Sequence, residues 1–457
     1  MHSDSAADRS EIRLRNLAEA LVATARRAGA DQADALAVGG HTVSIDVRTG
    51  QLEQADSAEG VEIGLRVLIG GRQACVSGSD LSADSMARMA ERAVAMARAA
   101  PVDDHLGLAD PDQLATRRDA AGLQLSDPAG DPDPAHLRDL ALRAEAAALA
   151  RSGIAQVESA SAAFSRRALW LAASNGFSGG YGRTTHTLSA VAITGEGLAM
   201  ERDYAAESRV FAADLPEPET IGALAAERTL ARAGARKPPT GAFPILYDPR
   251  VSSSLIGHLL AAVNGAAVAR GASWLWKALD EQVLPAGLTL SEDPLRPRYP
   301  ASRPFDAEGL ATRPRDIIRQ GILIGWTLDL ATGRKLGMDS TASAARGLTS
   351  APSPAISNVR LTPGRDDAEG LIAQMGRGLV VTSMLGAAVN GTTGDYSRGA
   401  AGFWVENGQI AYPVNECTIA GNLREMLMRI TPGNDALPWR GAEVPSLLVE
   451  GMTVAGA

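Results

Sequence analysis

Few residues in this chain combine a reactive side chain with a spacing that chemistry could use. Ser178 stands in Gly176-Phe177-Ser178-Gly179-Gly180, which fits the G-x-S-x-G pattern of a nucleophile elbow, and His186 follows as a conceivable base. An elbow requires a strand that turns sharply into a helix. Here Asn175-Gly176, a dipeptide suited to the left-handed positions of a hairpin turn, lies between two strand-like runs, and no helix follows. The hairpin reading is preferred, and Ser178 is expected to be structural.

The six histidines, His2, His41, His105, His136, His186 and His258, include no pair at the helical spacing that would set two imidazoles around one zinc ion. His258 lies on a predicted helix within Ser254 to Ala262, among small and apolar neighbours, and is read as structural. Cys417 has Glu416 beside it but no nearby histidine, so a thiolate site is unsupported. Gly376-Arg377-Gly378 begins like a dinucleotide fingerprint, yet it lacks the third glycine and runs into β-branched residues, as a turn would. Asn390-Gly391-Thr392 fits a glycosylation sequon, which matters only in an exported protein.

Composition does not explain the segment from Thr393 to Gly408. Polar Asp395, Tyr396, Ser397 and Arg398 are packed between glycines, and a strand with paired aromatics and an Asn-Gly turn follows. Two readings stand. Either these polar groups line a cavity or an interface, or Asp395 and Arg398 satisfy one another and tie down a glycine-rich turn.

Such segments need scaffolds to position them. At 457 residues the chain exceeds what one core usually organises, so two domains are expected. Hydrophobic residues make up 45% and charged residues 21%, a globular profile; with aromatics at 4% and 47 glycines, the core must rest on Ala, Leu, Val and Ile. Leu14, Leu17, Leu21, Val22 and Ala25 recur at helical spacing from Glu11 to Ala28, behind a polar lead-in at Asp4 to Arg9. Short runs at 34–38, 41–47, 61–68 and 74–76 predict a small antiparallel sheet, with a helix at 81–100 packed on it. Pro101 to Pro134 reads as a surface connection of Asp, Pro and Gly. A helix at 135–151, strands at 156–164, 168–174 and 185–194, and a helix at 219–235 complete the first unit.

The fold class is therefore α+β, with a two-layer α/β N-terminal domain over residues 1–236 and a mostly antiparallel β C-terminal domain over 240–457. The second domain opens with a strand at 243–247 and a helix at 252–269. Two stretches in it have little core-forming power, Ser291 to Pro304 and Ser340 to Asn358, and both are expected over or beside a cavity.

A net charge of −9 and a pI near 5.3 oppose general polyanion binding, so no direct nucleic-acid partner is expected; Arg166, Arg167 and Arg183 are read as solvated surface. Two cysteines, far apart in sequence, suit a reducing compartment. The start, Met1 to Glu11, has no signal-peptide core, and no stretch approaches the roughly 18 apolar residues that span a bilayer. A cytoplasmic location without membrane association is expected.

The Thr393 segment, followed by Thr418-Ile419-Ala420-Gly421-Asn422-Leu423, closely resembles the C-terminal signature of the PmbA/TldE branch of the TldD/PmbA metallopeptidase family, also labelled modulators of DNA gyrase. Ser254 to Ala267, Gln282 to Pro285, Pro304 to Gly309, Arg315 to Ile318, Gly321 to Leu323 and Gly333 to Gly337 fall in the same order as in that branch. The first domain matches only loosely. The resemblance implies a two-component peptidase. TldD-type members hold zinc with His-Glu-x-x-x-His on a helix and a distant Cys; PmbA/TldE-type members share the fold without those ligands, and the pair encloses a channel for unfolded peptide.

At the corresponding helix this chain has Gly257, His258 and Ala262 near the places of His, Glu and His, and Arg440 to Val454 contains no Cys. No Asp or Glu occurs from Val251 to Leu279 to act as a general base. The implied function is a zinc-less partner of a TldD-type metallopeptidase, supporting proteolysis of unfolded peptides in peptide-precursor maturation or small-protein turnover. No catalytic residue, metal ligand or cofactor is assigned to this chain, and zinc is expected in the partner. The expected partner is a TldD-type subunit in a heterodimer, or a second copy of this chain in a homodimer. Unfolded peptide is expected to bind as an added strand. Asp395, Tyr396, Ser397 and Arg398 are the substrate or interface candidates, with Ser340 to Asn358 behind them. The alternatives are a stand-alone peptide-binding or regulatory homodimer, and an independent serine-type hydrolase using Ser178 or Ser397.

Overall fold

The computed structural model describes residues 6–456 and forms two domains of mixed helix and strand. Asp4 and Ser5 of the expected lead-in, and His2, lie outside the described residues. Ala6 to Arg9 belong to the first helix, α1 (Ala6–Arg27), and not to a lead-in.

One six-stranded antiparallel sheet organises the first domain. Its strands are β1 (Gln32–Arg48), β2 (Gln51–Ile69), β3 (Arg72–Gly78), β4 (Ile154–Ala173), β5 (Ser178–Thr194) and β6 (Glu201–Arg209), in the order β3-β2-β1-β4-β5-β6. The runs at 34–38 and 41–47 are one strand, because β2 and β4 hold the backbone of Gly39 and Gly40 from both sides. β2 begins with a ten-residue exposed run: Gln51 to Gly60 is wholly exposed, is kept extended by its ladder to β1 alone, and the buried stretch starts only at Ile63.

Period-2 alternation gives each face of this sheet its own cover. Ala33, Ala35, Ala37, Ile45 and Val47 point toward α1, α2 (Ala83–Ala99), α3 (Pro134–Leu149) and α4 (Pro218–Ala231). α1 contributes Leu14, Ala18, Leu21 and Ala25, the stripe that its helical spacing predicts. Leu36 and Leu171 point the other way and meet Phe177 and Phe305, so the second face is covered partly by the second domain.

The second domain is built on β7 (Gly241–Tyr247) and four long strands, Gly378–Val389, Asp395–Glu406, Gln409–Asn422 and Leu447–Ala455. Thr418 to Ala420 pairs with Thr453 to Ala455, which closes these five strands into a small barrel. The ladder between β7 and Gly378–Val389 is parallel, and the other barrel pairs are antiparallel. Helix α5 (Pro249–Ala262) leaves the end of β7 with Asp248 as N-cap and Pro249 in its first turn, and buries Leu255, Ile256 and Leu259 against Tyr247 and Trp404 in one core. The helix expected at 252–269 is two helices, because Asn264 caps a new one at Gly265–Ala269. Among the described residues no helix is long and apolar enough to cross a membrane.

Both stretches expected beside a cavity fasten the two domains together instead. Arg346, its side chain 1% exposed, pairs with Asp34 on β1, which also accepts from Arg66 Nε at 2.6 Å. Next to this clamp Leu348 crosses so close to Gly64 that a Cβ there would meet the Leu348 oxygen at 2.3 Å. In the other stretch Arg298 bonds Asp214 of the first domain at 3.1 Å, while Arg296 bonds Glu443 within the second domain at 2.9 Å. The connection from Pro101 to Pro134 also departs from a surface loop: it buries Leu108, Leu123 and Leu125 and accepts at Leu125 from the Thr184 N–H. Arg183, read as solvated, is half-buried and donates to the Ser302 carbonyl. Ion pairs and backbone hydrogen bonds, not an apolar period, order these segments, which is why hydropathy alone misplaces them.

Candidate functional site

The singled-out segment becomes the barrel strand Asp395–Glu406, and the strand's alternation divides its four polar candidates between two faces. Tyr396 and Arg398 share the face with buried Ala400; Asp395 and Ser397 take the other. The Tyr396 ring stands 5.9 Å from the His258 ring of α5 at 71°, and its hydroxyl donates to Met384 Sδ at 3.3 Å. Behind it, at the end of β7, the Tyr247 hydroxyl donates to Met452 Sδ at 3.5 Å. Burial pushes both phenols above the ordinary tyrosine range, Tyr247 well above. Burial first, and the Arg398 guanidinium second, hold the His258 imidazole below its ordinary value.

This cluster lacks a counter-charge. His258 Nε2 and Arg398 Nε are buried without a hydrogen-bond partner, and among the described residues no carboxylate stands within ion-pair distance of Arg398. The expected Asp395 to Arg398 pair does not form, because three residues along a strand point to opposite faces. Asp395 is exposed and accepts instead from Thr393 Oγ1 at 2.6 Å and Asn422 Nδ2 at 3.2 Å, bonds that tie the preceding turn and hold its carboxyl below the usual range. Ser397 is half-buried on that same outer face.

Beside the cluster runs an unfinished sheet edge. β7 pairs with the Gly378–Val389 strand only from Leu379 to Val381, and then the chain turns into α5. Ser383 to Val389 continues with one side paired to Asp395–Glu406 and no described strand on the other, leaving Leu385 71% exposed. Val389 lies opposite Tyr396, so edge and cluster are neighbours. At the far end the Trp274 N–H bonds the Gly391 carbonyl.

The remaining reactive residues do not assemble. Ser178 opens β5, accepts from Trp170 Nε1 at 2.9 Å and donates to Glu19 Oε1 at 2.7 Å. His186 lies about 26 Å further along the same extended strand and faces Asp127 at 3.3 Å, so the two form no dyad. The hairpin before Ser178 forms as expected, although only Gly176, at φ 95°, takes the left-handed position. Cys417 is buried, and burial pushes its thiol up to about 11, which suits no thiolate chemistry. Gly376, at φ 66°, ends the helix Ala368–Met375 and accepts from the Gly408 N–H at 2.7 Å, forming a turn as expected.

The geometry thus defines a two-domain scaffold whose barrel carries an unpaired cationic cluster next to a free strand edge. Comparison with known proteins supplies the lineage. Residues 33–97, 127–233 and 240–456 match the models of domain 1, the central domain and the C-terminal domain of the PmbA/TldA metallopeptidases. The chain is 39% identical to Metalloprotease PmbA of Escherichia coli O157:H7 over 97% of each chain, and 36% identical to the Metalloprotease PmbA homolog of Haemophilus influenzae over 98% of this chain and 97% of that one. A Bacteroides thetaiotaomicron protein described as a modulator of DNA gyrase superposes with a TM-score of 0.89 at 27% identity over all of both chains. TldE of Thermococcus kodakarensis shares the fold, with a TM-score of 0.83 at 19% identity over 96% of this chain and 99% of that one. The chain belongs to the PmbA/TldA metallopeptidase family.

A metallopeptidase family implies a metal, and the residues of this chain do not fit one. Among the described residues no three His, Cys, Asp or Glu side chains converge. At the α5 cluster one imidazole faces a guanidinium, whose positive charge would repel a divalent cation. No chemical step is therefore assigned to a metal held by this chain.

The sequence singles out Tyr396 and Arg398 together with Asp395 and Ser397 as candidates, but not the separation of the two pairs onto opposite faces, which the period of two could have shown. It does not single out Tyr247 and Met384, whose only sequence signal is their place at the end of β7 and in a β-branched run. It also presents His258 as an isolated core histidine, whereas α5 brings it to Tyr396 and Arg398.

Proposed function

We propose that this chain is the zinc-less, PmbA/TldE-type partner of a TldD-type metallopeptidase in the cytoplasm, and that it holds unfolded peptide while the partner supplies zinc and catalysis. The observation that carries this reading is the free edge from Ser383 to Val389 next to a cluster in which α5 offers the His258 imidazole and the neighbouring strand the Arg398 guanidinium, with no metal-ligand set among the described residues. Such an edge binds backbone, reads little sequence and requires an extended segment, the properties wanted for unfolded substrates. The peptide would occupy the track that β7 leaves at Tyr247, alongside Ser383–Val389. A TldD homolog of Haemophilus influenzae, 24% identical over 45% of this chain, illustrates the kind of partner meant.

Purification alone and after co-expression with a subunit bearing His-Glu-x-x-x-His tests this. A stable complex is expected, with zinc and peptidase activity in the mixture only. Stoichiometric zinc and peptide cleavage by this chain alone would sink the proposal. Ser178→Ala and Ser397→Ala are expected to leave the activity of the complex unchanged, and loss of activity in either would favour a serine-type hydrolase.

A further inference from the structure

We infer that the space bounded by Arg398, His258 and Tyr396 is a carboxylate pocket, and that it receives the C-terminal carboxylate of a peptide lying along the Ser383–Val389 edge. The inference rests on the peptide-holding reading above and specifies which part of the peptide is recognised.

Three independent features point to an anion. First, Arg398 is a half-buried, permanently charged group without a carboxylate partner among the described residues. Burying an uncompensated charge is costly, so proteins pair such groups unless a ligand supplies the counter-charge. Second, two nitrogens of the cluster, Arg398 Nε and His258 Nε2, are buried with no hydrogen-bond partner. Arg398 Nε is a donor, and His258 Nε2 becomes one in the tautomer protonated there; a carboxylate offers an acceptor oxygen to each. Third, the segment from Val251 to Leu279 supplies Arg270, His258 and Lys277 and no acidic residue, so nothing local competes for the guanidinium. Asp395, three residues from Arg398, is turned to the opposite face and held by Thr393 and Asn422.

The edge explains why the anion belongs to a chain terminus. A peptide added to Ser383–Val389 would continue the line of β7, pass the buried Tyr247 and meet α5 at His258. Its path is bounded at one end by Tyr247, where β7 stops opposite Val381, and at the other by Trp274, bonded to Gly391. A track closed at both ends suits a segment that terminates inside it. The backbone of a polypeptide passing straight through has no negative group to offer the guanidinium, whereas a C-terminal carboxylate offers one whatever the sequence.

The test uses the full chain without a partner and a fluorescein-labelled eight-residue peptide of Ala and Gln, made once with a free C-terminal carboxylate and once as the amide. Fluorescence anisotropy should show at least tenfold tighter binding of the carboxylate form. Arg398→Met should abolish that preference, and Arg398→Lys should restore part of it. His258→Phe, which keeps an aromatic ring against Tyr396, should reduce the preference and preserve the fold if Arg398→Met does not fold. Equal affinity of wild type for both peptides, or an undiminished preference in Arg398→Met, overturns the pocket. Failure of both peptides to bind, alone and in complex with a zinc subunit, also overturns it. Co-purification with a zinc-bearing subunit is read separately, so the pairing proposal can stand when the pocket falls.

Discussion

Arg346 and Arg398 occupy opposite electrostatic situations in the same molecule. Arg346, 1% exposed, reaches from the second domain to Asp34 on β1, where Arg66 also arrives. Arg398 sits among Tyr396, Tyr247 and His258 with no acid in reach. Burial pushes the Arg346 guanidinium down to about 10, a cost that Asp34 offsets; at Arg398 no described carboxylate performs that service. A paired buried arginine fixes architecture, because its geometry is complete without a ligand. An unpaired one is a demand that the fold leaves for a ligand to meet.

The comparison breaks most readily at the clamp. Asp34→Asn leaves Arg66 and Arg346 buried without their carboxylate, and the expected loss is about 3–5 kcal/mol, read from the midpoint of urea unfolding. A loss below about 1 kcal/mol would show that the clamp does not hold the domains. Gly64→Ala pushes against the Leu348 backbone and should cost about 1–3 kcal/mol by overpacking, measured as a fall in thermal midpoint.

The pH dependence of the same region is a further probe. Burial, with Asp306 nearby, pushes the Glu308 carboxyl up to about 8 from an ordinary 4.5. The folded state therefore favours the protonated acid: this contribution is fully present below about pH 4.5 and is lost as the pH rises through about 8. Wild type should melt lower at pH 9 than at pH 6, and Glu308→Gln should flatten that slope.

Ser178→Ala removes the bonds to Trp170 and Glu19 and should cost about 1 kcal/mol in unfolding experiments. The smallest stability effect is expected at the contrasting arginine. Arg398→Met should lie within about 1 kcal/mol of wild type or above it, since it removes an unpaired buried charge and breaks no ion pair. Destabilisation comparable with Asp34→Asn would erase the difference between the two arginines.

Much of the architecture was legible in order of sequence. The stripe of Leu14, Leu21 and Ala25 gave α1, Asp248-Pro249 marks the start of α5, and the glycine-bounded run at 393–408 pointed to the strand that carries the candidate site. The merging of short runs into 17- and 19-residue strands was not legible, because the exposed Gln51 to Gly60 stretch is held by backbone ladders and has no apolar signature. Asp34 and Arg346 stand 312 positions apart, a separation that no local pattern spans.

By itself the sequence determined the two-domain α+β class, the absence of a zinc-helix pattern around His258 and the family resemblance, since each depends on residue identity and near-neighbour spacing. Only the tertiary structure decided which polar residues act together. Strand alternation sent Asp395 and Ser397 one way and Tyr396 and Arg398 the other, and the packing of α5 on the barrel brought His258 to the second pair. Closure of that barrel around a shortened β7 left the edge beside them open, a consequence of where strands end in space that adjacent residues do not encode.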